Sequence, residues 1–177
     1  NSPLDANGTA VNFMIGGTSD NIVYDYDAAE LSLFINDTLF VDGGITDKNP
    51  ILLAHIFDLS GINTVGNGIG HDITAILDKN TASPYVLNDF YEAEKDDFTR
   101  GTIRFPLYNL SEGEHSITLK VWDVFNNSSE ATINFVVTDA SNLSIAEFIT
   151  YPNPFSLFTD IYFQHNKVNQ ELDYVLE

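Results

Sequence analysis

The sequence predicts an all-β protein organised around an immunoglobulin-like β-sandwich. Apolar and polar residues alternate with a period of two in successive segments, and no stretch keeps a helical i, i+3, i+4, i+7 stripe beyond about two turns. Turn-forming Asn, Asp and Gly residues separate these segments at intervals of roughly 8 to 15 residues. Between about Tyr26 and Thr138 this spacing gives about seven strands in about 110 residues, which is typical of an immunoglobulin-like sandwich.

Each alternating segment bounded by turn residues is predicted as a strand. These segments are Val11–Ile15, Ala29–Ile35, Leu39–Val41, Ile51–Asp58, His71–Leu77, Tyr85–Leu87, Gly101–Leu107, Ser116–Phe125, Glu130–Thr138, Ile145–Tyr151, Asp160–Gln164 and Leu172–Val175. Inward-facing positions are predicted at Ile117, Leu119, Val121, Ile133, Phe135 and Val137. Trp122 interrupts the polar face of its strand, so we expect it to cover a sheet edge or to contact a neighbouring domain.

The composition shifts along the chain predict three parts. Residues 1–26 are predicted to be a linker and terminal strand of a preceding domain, residues 27–138 the immunoglobulin-like β-sandwich, and residues 139–177 the start of a C-terminal β-domain. This last part offers about three strands, too few to bury a core by themselves. We therefore expect the C-terminal β-domain to be incomplete in this chain.

The charge and the residue inventory exclude several classes of function. The chain has 26 Asp and Glu against 7 Lys and Arg, a formal net charge of −19. Such a surface offers few cations to a phosphate backbone, which excludes nucleic-acid binding. No apolar stretch approaches the 18 or so residues of a membrane span. The chain has no Cys, so a Cys nucleophile, a disulfide and a thiolate metal site are excluded as well.

Two motifs look catalytic or ligand-binding at first sight. Gly66–Asp72 is glycine-rich, but a phosphate loop leads into a helix N-terminus and this one leads into a predicted strand. We interpret it as a sandwich loop that binds no nucleotide cofactor. His71 and Asp72 are adjacent on a strand and point to opposite faces, so neither orients the other. The remaining histidines lie in separate segments, and the sequence marks no catalytic residue and no zinc site.

Acidic residues recur in pairs and triplets, namely Asp25/Asp27, Asp42/Asp47, Asp89/Glu92/Glu94 and Asp96/Asp97. We interpret most of these clusters as a solvated anionic surface. The alternative is calcium, which takes hard oxygen ligands from loops, and the best candidates for it are Asp96 and Asp97. None of the clusters has the dense D-x-D-x-D-G form of a calcium loop.

An ordered series of segments resembles one family. These segments are Leu33–Asp37, Asp42–Asp47, Gly61–Ile73, Val86–Tyr91, Leu119–Val124, Asn126–Ser129 and Tyr151–Phe155. Together they are similar to the C-terminal region of the type IX secretion system sortases, the PorU-like members of the gingipain-type cysteine peptidases. The resemblance covers about residues 30–166. It implies a secreted parent protein at the outer-membrane surface whose catalytic Cys and His lie upstream, and no position here matches that catalytic motif.

Two hypotheses about function follow, and an enzyme is disfavoured. The first is a non-catalytic accessory module of such a peptidase, with the upstream catalytic domain and outer-membrane secretion components as partners. The second is a carbohydrate-binding or adhesive surface module, for which Tyr24/Tyr26, Phe90/Tyr91 or Trp122 would supply an aromatic platform.

Overall fold

The computed structural model describes residues 24–65, 70–139, 145–154 and 156–167. The predicted strands Val11–Ile15 and Leu172–Val175 lie outside the described residues, as does most of the Gly66–Gly70 loop.

The all-β prediction is confirmed, and nine strands form a two-layered sandwich. Their bounds are β1 Glu30–Ile35, β2 Ile45–Thr46, β3 Ile51–Phe57, β4 Thr74–Leu77, β5 Tyr85–Val86, β6 Tyr91–Glu94, β7 Asp97–Pro106, β8 Gly113–Trp122 and β9 Ser128–Val137. One sheet has the order β1-β3-β7-β6, and the other has the order β2-β9-β8-β4-β5. Neighbouring strands are antiparallel except β2 and β9, which run parallel with Ile45 opposite Val136.

The core lies between the two sheets. The six positions predicted to face inward on β8 and β9 are all buried, from Ile117 and Leu119 at 0% exposed to Ile133 at 3%. The facing sheet contributes Leu52, Ala54, Ile56 and Ile103 to the same cluster. Alternation along β3 and β8 therefore directs one set of side chains into a single apolar layer. Among the described residues no helix has the length and apolar character needed to cross a bilayer.

The strand prediction was wrong at Leu39–Val41. This segment forms two consecutive turns, one closed by the amide of Phe40 on the carbonyl of Asp37. The next turn is closed by the amide of Gly44 on the carbonyl of Val41 at 2.9 Å. The strand that follows, β2, was missed because two residues carry no period-two signal. The edge strand β6 was missed because its Glu-rich sequence hides the alternation.

Two further strands form a hairpin beside the sandwich. β10 (Ile145–Tyr151) pairs antiparallel with β11 (Asp160–His165). Asn166, which is fully buried, follows β11 and donates from Nδ2 to Thr138 Oγ1 at 2.9 Å and to the Asp139 carbonyl at 3.1 Å. At Gly44, just before β2, a Cβ atom would overlap the side chain of Gln164. The hairpin is therefore fixed to the sandwich at two points.

The hairpin carries large exposed apolar side chains. Phe148, Tyr151, Phe158 and Tyr162 are each more than half exposed. Exposed apolar side chains grouped in this way commonly mark a surface that contacts another part of a protein. The three-part division of the chain stays a prediction.

Candidate functional site: a carboxylate cluster at one end of the sandwich

Three carboxylates from distant parts of the sequence meet at one end of the sandwich. Asp58 directly follows β3, Asp123 directly follows β8, and Asp25 precedes β1. One oxygen from each lies within 4.8 Å of the other two. Asp58 is 5% exposed and Asp123 is fully buried. The sheets bring these three carboxylates together because β3 and β8 belong to opposite layers and their C-terminal ends lie at the same end of the sandwich.

Asp123 holds the turn between β8 and β9. Its Oδ1 accepts the backbone amides of Phe125 at 2.9 Å and Asn127 at 2.7 Å. Its Oδ2 accepts the side-chain amide of Asn127 at 2.6 Å. An Asp at the start of a turn commonly satisfies amides in this way. The buried Asp123 carboxylate therefore accepts hydrogen bonds from three donors.

Asp58 and Asp25 are held by the loop that follows β3. Asp58 Oδ1 accepts the backbone amides of Ser60 at 2.8 Å and Gly61 at 2.9 Å. The hydroxyl of Ser60 donates to Asp25 Oδ2. The side-chain amide of Asn127 also donates to the Asp25 carbonyl at 3.1 Å. The segment before β1 is thus tied to both loops that carry the buried carboxylates.

The environment moves the pKa values of two of these groups in opposite directions. Burial raises the pKa of the Asp58 carboxyl, and the negative charges of Asp123 and Asp25 raise it further, against the two backbone hydrogen bonds. The hydrogen bond from Ser60 lowers the pKa of Asp25, and the backbone amide of Asp27 lowers it further. Asp58 therefore gives up its proton less readily than Asp25 does.

The donor set is of the kind that calcium prefers. Ca²⁺ binds carboxylate oxygens at about 2.3 to 2.6 Å, so oxygens up to roughly 5 Å apart can bind one ion together. The 4.8 Å spacing of the three carboxylates satisfies this limit. The chemistry of the three carboxylates thus fits a hard cation.

We predict that Asp58→Asn changes how stability depends on pH. Because the folded pKa of Asp58 is raised, its stabilising contribution is fully present below the unfolded pKa and is lost as the pH rises through the folded value. The variant should therefore be more stable than the unsubstituted chain at pH 7 and should lose this advantage as the pH falls toward the usual Asp pKa of about 4. Urea unfolding midpoints measured across this range check it. Asp72→Asn is the matched control, and an equal difference at both ends of the range would contradict the prediction.

The predicted calcium candidates lie in the β6–β7 turn, at the same end of the sandwich as Asp58, whose amide donates to the Thr99 carbonyl at 2.8 Å. Asp96 has a left-handed backbone with φ 61°. Asp97 Oδ1 accepts the amide of Thr99 at 2.9 Å and its hydroxyl at 2.5 Å, and these bonds lower the Asp97 pKa. Its Oδ2 lies 3.7 Å from Arg100 Nε. Calcium binding at Asp96 and Asp97 stays a prediction.

Ser111, His115 and Asp78 form a triad-like set that the sequence did not reveal. His115 Nδ1 lies 2.8 Å from Asp78 Oδ2, and its Nε2 lies 3.4 Å from Ser111 Oγ. Nε2 also lies 2.8 Å from the Ser111 carbonyl, which can only accept a hydrogen bond. Nε2 therefore lies closer to this carbonyl than to the Ser111 hydroxyl, which at 3.4 Å is farther than the roughly 2.6 to 3.2 Å expected between a nucleophile and its general base.

The aromatic residues considered for a platform have different surroundings. Tyr24 and Tyr26 are 68% and 80% exposed, and their rings lie nearly parallel with centroids 6.2 Å apart. Trp122 is half-buried. The centroids of its ring and the His71 ring lie 4.3 Å apart, and Lys120 Nζ lies 5.0 Å from the centroid of the Trp122 ring. Tyr91 lies over Gly101. Among these residues, only the tyrosine pair presents two largely exposed rings side by side.

Comparison with known proteins gives one informative similarity. The crystal structure of dimeric latent PorU from Porphyromonas gingivalis matches with a TM-score of 0.65 and 35% sequence identity over 86% of this chain. The chain is PorU-like. This match confirms the resemblance to a PorU-like C-terminal region that the sequence motifs indicated. The chain spans only 14% of the length of that PorU chain.

The other comparisons add no functional information beyond PorU. An endo-beta-1,4-mannanase from Thermotoga petrophila matches at 14% identity and a TM-score of 0.39, over 61% of this chain and 20% of the mannanase. CopC from Methylosinus trichosporium OB3b matches at 14% identity and a TM-score of 0.36, over 63% of this chain and 98% of CopC. No protein-family model and no curated protein matches the chain.

Proposed function

We propose that this chain is a non-catalytic accessory β-sandwich from the C-terminal part of a secreted, gingipain-like cysteine peptidase or sortase of the type IX secretion system. Its role is to dock or space the catalytic domain at the cell surface. The observation that carries the proposal is the 35% identity to PorU over 86% of this chain but 14% of PorU. A region that matches 14% of a much longer chain is of the size expected for an accessory domain of the parent protein.

The absence of Cys supports a non-catalytic role for this chain within the parent protein. A cysteine peptidase needs a thiolate nucleophile, and none of the 177 residues is Cys. The resemblance to the PorU-like sortases implies that the catalytic Cys and His would lie upstream in the parent chain. The partners of this module would be that catalytic domain and the outer-membrane secretion components.

The first experiment tests whether the chain is catalytic. The purified 177-residue chain should hydrolyse no fluorogenic peptide substrate, before or after an added purification step that removes trace peptidases. The sharpest control is His115→Ala, which removes the ring of the triad-like set. Hydrolysis that co-purifies with the chain and disappears in this variant would overturn the proposal.

A second experiment separates docking from spacing. Amide hydrogen exchange across β1–β9 is compared between the isolated chain and the full-length parent. Docking predicts that amides on one contiguous face exchange more slowly in the parent, whereas spacing predicts equal exchange in both. Faster exchange in the parent would contradict both roles.

The exposed tyrosine pair favours carbohydrate binding as a second candidate function. Aromatic rings that present a flat apolar face can stack against the apolar face of a sugar, and Tyr24 and Tyr26 are side by side and exposed. On a glycan array, binding that is lost in Tyr24→Ala and Tyr26→Ala but kept in Tyr108→Ala would support this function. Tyr108 is a suitable control because it is also 68% exposed.

A further inference from the structure

A cleft of about 420 Å³ lies where the β10–β11 hairpin meets the sandwich. Its first wall is the outer face of the four-stranded sheet at Arg104. Its second wall is the connection between β1 and β2, at Leu39 and Phe40. Its third wall is β11, at Phe163 and His165. The cleft therefore exists only because the hairpin packs against the sandwich.

The charge in this cleft is opposite to that of the whole chain. The sequence has 7 Lys and Arg against 26 Asp and Glu, yet the cleft is lined by Arg104 and Lys167, with Asp37 as its acidic lining residue. Asp37 Oδ1 already accepts the amide of Leu39 at 2.8 Å. The local balance of charge thus favours an anionic group.

Arg104 is the cation placed to receive such a group. Its side chain is exposed, and among the described residues no carboxylate lies within salt-bridge distance of it. By contrast, Lys48 and Lys120 each have a Glu oxygen at 2.9 Å. A guanidinium presents a planar pair of N–H donors that matches the two oxygens of a carboxylate.

Apolar side chains stand beside this cation. Leu39 is 82% exposed, and Phe40, Ile45 and Phe163 are half-buried around the same cleft. The β11 wall is held in place by the buried Asn166. A ligand therefore meets a site that is largely preformed, so it pays little to order the walls.

We propose that this cleft binds an extended protein segment in which an acidic side chain stands next to apolar ones, with its carboxylate on Arg104 and an apolar neighbour against Leu39 and Phe163. Protein interfaces are enriched in Arg and aromatic residues, and this surface combines both. This peptide binding is separate from the proposed docking or spacing of the catalytic domain, since its ligand is a peptide segment held in the cleft.

The test uses the 177-residue chain and two blocked peptides, Ac-Leu-Asp-Phe-NH₂ and Ac-Leu-Asn-Phe-NH₂, followed by two-dimensional amide NMR. The Asp peptide should shift resonances of residues around Arg104 and β11 in a saturable way. The Asn peptide should bind roughly three- to tenfold more weakly, because it lacks the charge for the guanidinium.

Two variants locate the binding. Arg104→Gln should weaken binding of the Asp peptide, while Lys95→Gln, which removes an equal charge at the other end of β7, should not. Equal binding of the two peptides, unchanged affinity in Arg104→Gln, or the absence of saturable shifts at the cleft would each overturn the proposal. None of these outcomes bears on peptidase activity or on exchange in the parent protein, so the proposed function is tested separately.

Discussion

Replacing Leu119 by Ala should lower the free energy of unfolding by about 2 to 5 kcal/mol. Leu119 lies in the middle of β8, is fully buried, and belongs to the apolar cluster between the two sheets. Truncation removes apolar contact and leaves a cavity that the two packed sheets cannot readily fill. Urea or thermal unfolding of the variant measures the loss.

The matched control for this variant is Thr118→Ala, one position earlier on the same strand. Thr118 faces the other way and shares a hydrogen bond of 2.8 Å with Thr132 on the exposed face. Its loss should cost about 1 kcal/mol or less. Equal losses in the two variants would contradict the assignment of Leu119 to the inner face of β8 and Thr118 to the outer face.

Replacing Asp123 by Ala should cost about 2 to 4 kcal/mol, since it leaves three partly buried donors without an acceptor. The amides of Phe125 and Asn127 and the side-chain amide of Asn127 all donate to this carboxylate. Part of the loss is offset because the negative charge beside Asp58 disappears. Chemical unfolding at pH 7 provides the measurement.

Asp123→Asn separates the two contributions. It keeps an oxygen for the two backbone amides and removes the charge, so we expect it to cost clearly less than Asp123→Ala. If both variants stabilise the protein, repulsion within the carboxylate cluster outweighs the hydrogen bonds of the turn, and the prediction is wrong.

The fold could be predicted wherever one face of a strand is buried. In β8, Ile117, Leu119 and Val121 alternate with polar residues, so the pattern itself states which side faces the core. The prediction failed where pairing partners, not local pattern, decide the structure. β2 is two residues long and is a strand only because Ile45 and Thr46 pair with β9.

The carboxylate cluster could not be predicted as a group. Asp25, Asp58 and Asp123 are far apart in the sequence, and only the sandwich topology brings their oxygens together. Local signals were nevertheless present. Asp58 and Asp123 each directly follow a strand that contributes to the core and precede turn residues, the position at which an Asp side chain satisfies backbone amides. The turns at Asp58 and Asp123 can therefore be predicted from the sequence, whereas the proximity of the three carboxylates depends on the topology of the folded chain.

The parallel pairing of β2 with β9 has a consequence for the order of events during folding. The Gly44 carbonyl accepts the amide of Val136, and the Thr46 carbonyl accepts the amide of Thr138. An early strand is thus completed by the last strand of the sandwich, so its contacts form only after a long loop of chain has closed. During synthesis β2 has no sheet partner and the edge of β8 stays unpaired until residues 128–138 have emerged. Until then the unpaired strand is accessible to chaperones and proteases.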